Sequence, residues 1–183
     1  MKIVLPILGL TLLLAGCVRT VETRVDTIGG GAGIMPGSYV LAPTEKALSP
    51  ELTQAQRLVA NHLLAKNFTP AETGTLYLQI TASSRPADLV LATPEANKPV
   101  SLSTAPKKRL FSKCVKKEYR VGITLTRISD GQQAYRGTAA ETHCKMTFAQ
   151  AMPALVEAAL GDLRLPVGVA GRQGAYVLKR KLI

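Results

Sequence analysis

The chain has 183 residues, with 23 lysines and arginines against 12 acids, a net charge of +11 and no tryptophan. That length suits one domain with a short extension, and that charge calls for an anionic partner. Aromatic residues make up only 4% of the chain, too few to build base-stacking platforms, which argues against a single-stranded nucleic acid.

Met1-Lys2 brings one positive charge, residues 3–14 are almost wholly apolar, and Ala15-Gly16 are small. This is the order of a secretory signal. The apolar run falls short of the roughly 20 residues that span a bilayer core, and Pro6 and Gly9 interrupt it, so cleavage is expected rather than spanning. Leu14-Ala15-Gly16-Cys17 resembles the bacterial lipoprotein cleavage motif. The resemblance implies that residues 1–16 are a removed signal peptide and that Cys17 becomes a diacylglyceryl cysteine with an acylated, palmitate-type amine. The alternative is an ordinary signal peptide with an incidental cysteine. Each buried methylene of such chains contributes about 0.8 kcal/mol, so two or three chains anchor stably where one is marginal. Val18, not aspartate, follows the cysteine; by the sorting rule of enteric lipoproteins this implies the outer membrane, with the domain facing the periplasm. The anionic surfaces on offer there are phospholipid, lipopolysaccharide phosphate, peptidoglycan carboxylate and acidic proteins, and nucleic acid is not an expected partner.

Between residues 17 and 37 no hydrophobic period is sustained, and Gly29-Gly30-Gly31-Ala32-Gly33 sits in the middle. This predicts a flexible, lipidated tether. A phosphate-cradling loop is disfavoured, because such loops follow a strong strand. Residues 38–41 predict a short strand. Ser49-Pro50-Glu51 then offers an N-cap, a first-turn proline and a first-turn acid, and Leu52, Ala55, Leu58, Val59 and Leu63 recur at helical spacing. Asn67 can close this helix, with Pro70 just beyond. Residues 75–82 alternate, placing Leu76, Leu78 and Ile80 on one face of a strand. Residues 83–112 hold Pro86, Pro94, Pro99 and Pro106 and no period, which predicts a long loop.

Tyr119, Val121, Ile123 and Leu125 alternate again, and Asp130-Gly131 marks a turn before Tyr135, Gly137 and Ala139. A three-residue hairpin loop at 129–131, with Gly131 left-handed, opposes Leu125 to Tyr135, Ile123 to Gly137 and Val121 to Ala139, keeping one face apolar. The same register sets Cys144 opposite Lys116, two positions from Cys114. With Cys17 lipidated, these two thiols remain in an oxidising compartment, and a Cys114–Cys144 disulfide is expected. Thr147-Phe148-Ala149-Gln150 has the form of a capping box, and Phe148, Met152, Leu155, Val156, Ala159 and Leu163 follow at helical spacing. Pro153 leaves two readings, a helix that starts near it or one that kinks there. Pro166 and Gly168 are expected to end the helix. The basic tail over 167–183, with Arg172, Lys179, Arg180 and Lys181, reads either as an edge strand through residues 175–178 or as a loose end.

These elements predict an α+β, two-layer domain over 38–166, an antiparallel or mixed sheet with two helices packed on one face. The order of elements, Cys17, Gly37-Ser38-Tyr39, Tyr135-Arg136-Gly137 and the final Ala-Leu helix resemble small uncharacterised envelope lipoproteins of proteobacteria. More distantly they are similar to accessory lipoproteins of curli secretion and of penicillin-binding-protein activation. That resemblance implies a binding or assembly role and carries over no catalytic residue.

Little in the chain points to catalysis. His62 lies within a turn of Leu58 and Val59 on the first helix, as a core-edge histidine would. His143 adjoins Cys144, but consecutive strand residues point to opposite faces, and a disulfide would consume the thiol. No metal-binding or nucleophile motif is present, so neither a metal nor a cofactor is expected. The feature above background is charge: Lys98, Lys107, Lys108, Arg109, Lys113, Lys116, Lys117 and Arg120, with Glu118 the one acid among them. As a functional reading, Lys107, Lys108, Arg109, Lys113, Lys116, Lys117 and Arg120 contact an acidic envelope protein or an anionic cell-wall or lipid surface; a solvated, partnerless loop is the plain alternative. A non-catalytic binding or assembly factor is the expected function. The competing classes are a cell-wall or lipid-modifying hydrolase or transferase and a purely structural lipoprotein.

Overall fold

A computed structural model of the chain describes residues 19–29, 34–43, 49–87, 92–93, 100–101, 114–163 and 174–182. In chain order the elements are β1 (Arg19–Gly29), β2 (Ser38–Leu41), α1 (Pro50–Ala65), β3 (Thr69–Pro70), β4 (Leu76–Pro86), β5 (Ala92–Thr93), β6 (Val100–Ser101), β7 (Lys117–Arg127), β8 (Gln133–His143), α2 (Phe148–Leu160) and β9 (Gly174–Leu182). Seven strands form one mixed sheet in the order β3-β2-β4-β7-β8-β1-β9, and β5 pairs with β6 apart from it. β2 runs parallel to β3 and β4, and the other neighbours are antiparallel. The expected α+β, two-layer architecture is the observed one.

One face of the sheet carries the core. Leu78, Ile123, Leu125, Tyr135, Ala139 and Val25 point to it and meet Val59 and Leu63 of α1 and Met152, Leu155 and Val156 of α2. α2 crosses β7, β8 and β1, while α1 lies against β4 and α2. Gly137 sets the depth of that packing: a Cβ built there would stand 1.9 Å from the Ala159 carbonyl oxygen. Beside it the Tyr135 hydroxyl donates to the same carbonyl over 2.5 Å.

Both helix starts follow their capping chemistry. Ser49 Oγ accepts from the Leu52 amide at 3.2 Å, and Asn67 takes the left-handed conformation (φ 65°) after the C-cap. Thr147 and Gln150 exchange both bonds of a capping box. Pro153 lies inside α2, so the helix starts before it. α2 ends at Leu160, earlier than Pro166 would require, and Leu163 packs in the core from the following turn.

The hairpin register below its loop is the expected one, with Leu125 opposite Tyr135, Ile123 opposite Gly137 and Val121 opposite Ala139. Gly131 is left-handed (φ 67°). The loop is one residue longer than expected: Arg127 accepts at its carbonyl from the Gly131 amide and donates to Gln132, and Thr126 pairs with Gln133 across a register shift.

Two expectations need correction, and one open alternative is decided. Within 17–37, residues 19–29 are not a tether, because β1 occupies Arg19–Gly29 and is bonded on both sides, to β8 and β9. Its alternation escapes a hydrophobicity reading because its inward residues are Thr23, Val25 and Thr27, two of them polar. Of the two readings of the tail, the edge strand is the observed one: β9 runs for nine residues, longer than the expected 175–178. The sheet domain therefore extends beyond 38–166 on both sides. The long loop over 83–112 begins late, since β4 runs on to Pro86.

Candidate functional site

Five strands of the sheet reach a common end. Pro86 of β4 pairs with Lys117, Lys117 pairs with His143 of β8, and Arg19 of β1 pairs with Leu182 of β9. The Cys114–Cys144 disulfide closes this end, with the two Cα atoms 5.7 Å apart. Both helices begin here as well, so Ser49 and Thr147, with Val115, Lys117, Tyr119 and Lys145, border a cleft of about 530 Å³. Glu51, in the first turn of α1, is the acid on its wall.

Two other acids near this end, Glu141 and Glu118, are spent inside the molecule. Glu141 is fully buried. Its carboxylate accepts from Thr23 Oγ1 at 2.5 Å and from the Arg180 guanidinium at 3.1 and 2.8 Å, and it faces His143 Nε2 at 2.6 Å. Burial alone would raise the Glu141 pKa, but the bonds from Arg180, Thr23 and His143 outweigh it and hold the carboxyl below its ordinary range. The Tyr119 ring stacks between His143 and Phe148, at centroid distances of 5.7 and 5.0 Å.

On the opposite face of the sheet, Glu118 is buried and binds three arginines. Arg24 donates to one oxygen, Arg85 Nε donates to the other at 2.9 Å, and Arg120 lies 3.5 Å away. Arg24 and Arg120 flank Ala140 in register, and their stems cover it, which accounts for an alanine 5% exposed on the helix-free face. Burial opposes ionisation of Glu118 as well, and the bonds and charges of Arg24 and Arg85 override it, lowering the pKa.

What remains at this end is positive. Lys116, Lys117, Lys145 and Lys181 are exposed, and among the described residues no acid pairs with any of them. Lys179 pairs with Glu22 at 3.6 Å. Val115, 72% exposed, stands beside Lys116. Of the expected site residues, then, Cys114 and Cys144 are joined, Lys116 and Lys117 lie free at the end of the sheet, and Arg120 shares Glu118. Cys17, Lys98, Lys107, Lys108, Arg109 and Lys113 lie outside the described residues.

Lys145 and the Glu141 network are additions that the linear pattern did not single out, and Arg180 and Lys181, read only as part of a basic tail, join this end through β9. One signal for Glu141 and His143 was present: they continue the inward alternation of Tyr135, Gly137 and Ala139. The His143 side chain turns into the core toward Glu141, away from the disulfide sulfur of Cys144. Among the described residues no cluster of histidine, cysteine and acids could hold a metal ion.

No family model matches the sequence, and no curated protein does. Among solved structures, the chain is similar to PelC of Paraburkholderia phytofirmans, which is described as a dodecamer. One PelC structure has 14% identity and a TM-score of 0.49, covering 77% of this chain and 97% of that one. A point variant of it has 13% identity and a TM-score of 0.48, covering 77% and 96%. A PDZ domain protein from Parabacteroides distasonis is also similar, with 13% identity and a TM-score of 0.55. That match covers 88% of this chain and 39% of the other. At these identities the likeness extends to the fold alone.

Proposed function

We propose that this protein is a lipoprotein of the Gram-negative envelope, held by Cys17 on the outer membrane with its domain in the periplasm, and that it works by binding or assembly rather than catalysis. The observation that carries the reading is the motif Leu14-Ala15-Gly16-Cys17 behind an apolar signal, followed at Arg19 by the first strand of the domain. The Cys114–Cys144 disulfide fits an oxidising compartment. The unpaired lysines around it supply the contact surface for an anionic partner.

A hydrolase reading draws on one feature, His143 facing Glu141. Both side chains are enclosed, at 4% and 0% exposure, and the carboxylate is already occupied by Thr23 and Arg180. That geometry favours a structural network over a general base, which needs reach to a substrate proton.

Intact mass of the protein purified from membranes, with and without reductant and beside a Cys17→Ala variant, tests the reading. Loss of residues 1–16 with acyl mass on Cys17 is the expected result. An unprocessed, unacylated chain overturns it.

A further inference from the structure

Cys17 is two residues from Arg19, where β1 begins. An extended chain covers at most about 3.6 Å per residue, so a lipidated Cys17 would hold the start of β1 within roughly 7 Å of the membrane surface. A domain on a long tether would be free to tumble; this one is held close, and the end of the sheet that meets the membrane is settled by the strand on which the anchor sits. That end is the basic one.

We infer that the disulfide end of the sheet is a membrane-apposed face that docks onto anionic phospholipid, with Lys116, Lys117, Lys145 and Lys181 against the headgroups. The inference rests on the lipoprotein reading and adds the orientation of the domain. The pairing of Thr20 with Lys181 places one of these lysines beside the anchored strand. β8 is bonded to β1, and β7 lies one strand further, so Lys145 and Lys117 follow within about 10 Å at a strand spacing of ~4.8 Å. Charges gathered within about one Debye length of one another at 0.1 M salt act together on an apposed anionic surface.

Among the described residues, the acids near this end are mostly engaged elsewhere. Glu118 and Glu141 are buried against arginines, Glu22 pairs with Lys179, and Glu51 is the one acid among the described residues that borders the cleft. Val115 adds an exposed apolar side chain beside Lys116, suited to the boundary between headgroups and acyl chains. Lipid chains plus a cluster of lysines is the two-signal arrangement that stabilises attachment.

The test uses the full chain isolated from membranes and added to preformed vesicles, either of phosphatidylcholine alone or of phosphatidylcholine mixed with phosphatidylglycerol. Lysines are acylated with a membrane-impermeant reagent and read by peptide mass. Lys116, Lys117, Lys145 and Lys181 should label roughly five-fold more slowly on the anionic vesicles, with the protection lost in high salt. Lys66, at the opposite end of α1, serves as the reference and should label equally on both. Equal labelling of the four lysines on the two vesicles overturns the docking face and leaves them to an acidic protein. Intact mass of the same sample scores the anchor separately: a chain with no acyl group on Cys17 sinks the lipoprotein reading, while protection on anionic vesicles alone would still identify the lysine face.

Discussion

The side-chain amide of Gln54 on α1 donates to the backbone carbonyl of Ala149 on α2 across 3.1 Å. Ala149 is four residues before Pro153, and proline has no N–H to return the helical bond. Gln54 thus satisfies the acceptor that Pro153 leaves open, and ties the two helices together. Gln54→Ala should cost about 1 kcal/mol in the native background. In a Pro153→Ala background, where position 153 regains its N–H, the same change should cost close to nothing. Denaturant midpoints of the four proteins in this cycle check the coupling, and additive losses would mean that the bond does not serve Pro153.

Gly137 marks the closest approach of helix and sheet. A methyl group there meets the Ala159 carbonyl at 1.9 Å, so Gly137→Ala must lift α2 from β8 and stretch the Tyr135 hydrogen bond. Overpacking of this kind costs about 1–3 kcal/mol. At ~2–4 °C per kcal/mol for a domain of this size, thermal unfolding should begin several degrees lower. A variant as stable as the native protein would place the helix further from the sheet than described.

The buried acids set the acid limit of stability. Glu118 and Glu141 both titrate below their ordinary value of 4.5 in the folded protein. Their contribution is therefore full above that value and is lost as pH falls through the lower folded pKa, where the unfolded chain binds more protons. Arg180→Leu leaves the Glu141 carboxylate with Thr23 and His143 and removes the largest of the interactions that oppose desolvation. It should destabilise by about 2–3 kcal/mol at neutral pH, below the full figure for a broken buried pair because a third of Arg180 is exposed. The midpoint of acid unfolding, followed by circular dichroism, should also move to higher pH. A midpoint that stays put would show that Glu141 is not held ionised by Arg180.

The disulfide closes a loop of 30 residues. In the chain-entropy account this stabilises the fold by about 3.5 kcal/mol. A Cys114→Ala, Cys144→Ala double variant should melt roughly 10 °C lower than the oxidised protein and be indifferent to reductant. Melting of the native protein with and without reductant should reproduce the same gap.

Much of this architecture was legible from the residues alone, because the signals involved are local. Ser49 and Thr147 lie within three residues of the amides they cap, and the apolar stripes of α1, α2, β4 and β7 repeat at helix or strand spacing. The hairpin register and the Cys114–Cys144 pairing followed from one turn and one apolar face. One strand, β1, was hidden and another, β9, was left undecided for the opposite reason. β1 turns Thr23 and Thr27 inward, where their partners are Glu141 and Asp162, residues more than a hundred positions away. β9 sends Arg180 into that same buried network. Such polar residues look solvent-facing until the chain that neutralises them is in place. The basic end has the same origin. Lys116 and Lys117 stand out as a run and the β7–β8 hairpin brings Lys145 beside them, but Lys181 joins them only because β1 pairs with β8 on one side and β9 on the other. Local spacing determined the helices, their caps, the central hairpin and the disulfide. Long-range strand pairing alone decided where the first and last strands lie, which acids are spent inside, and which lysines share one end, because electrostatic partners separated along the chain meet only when the sheet has closed around them.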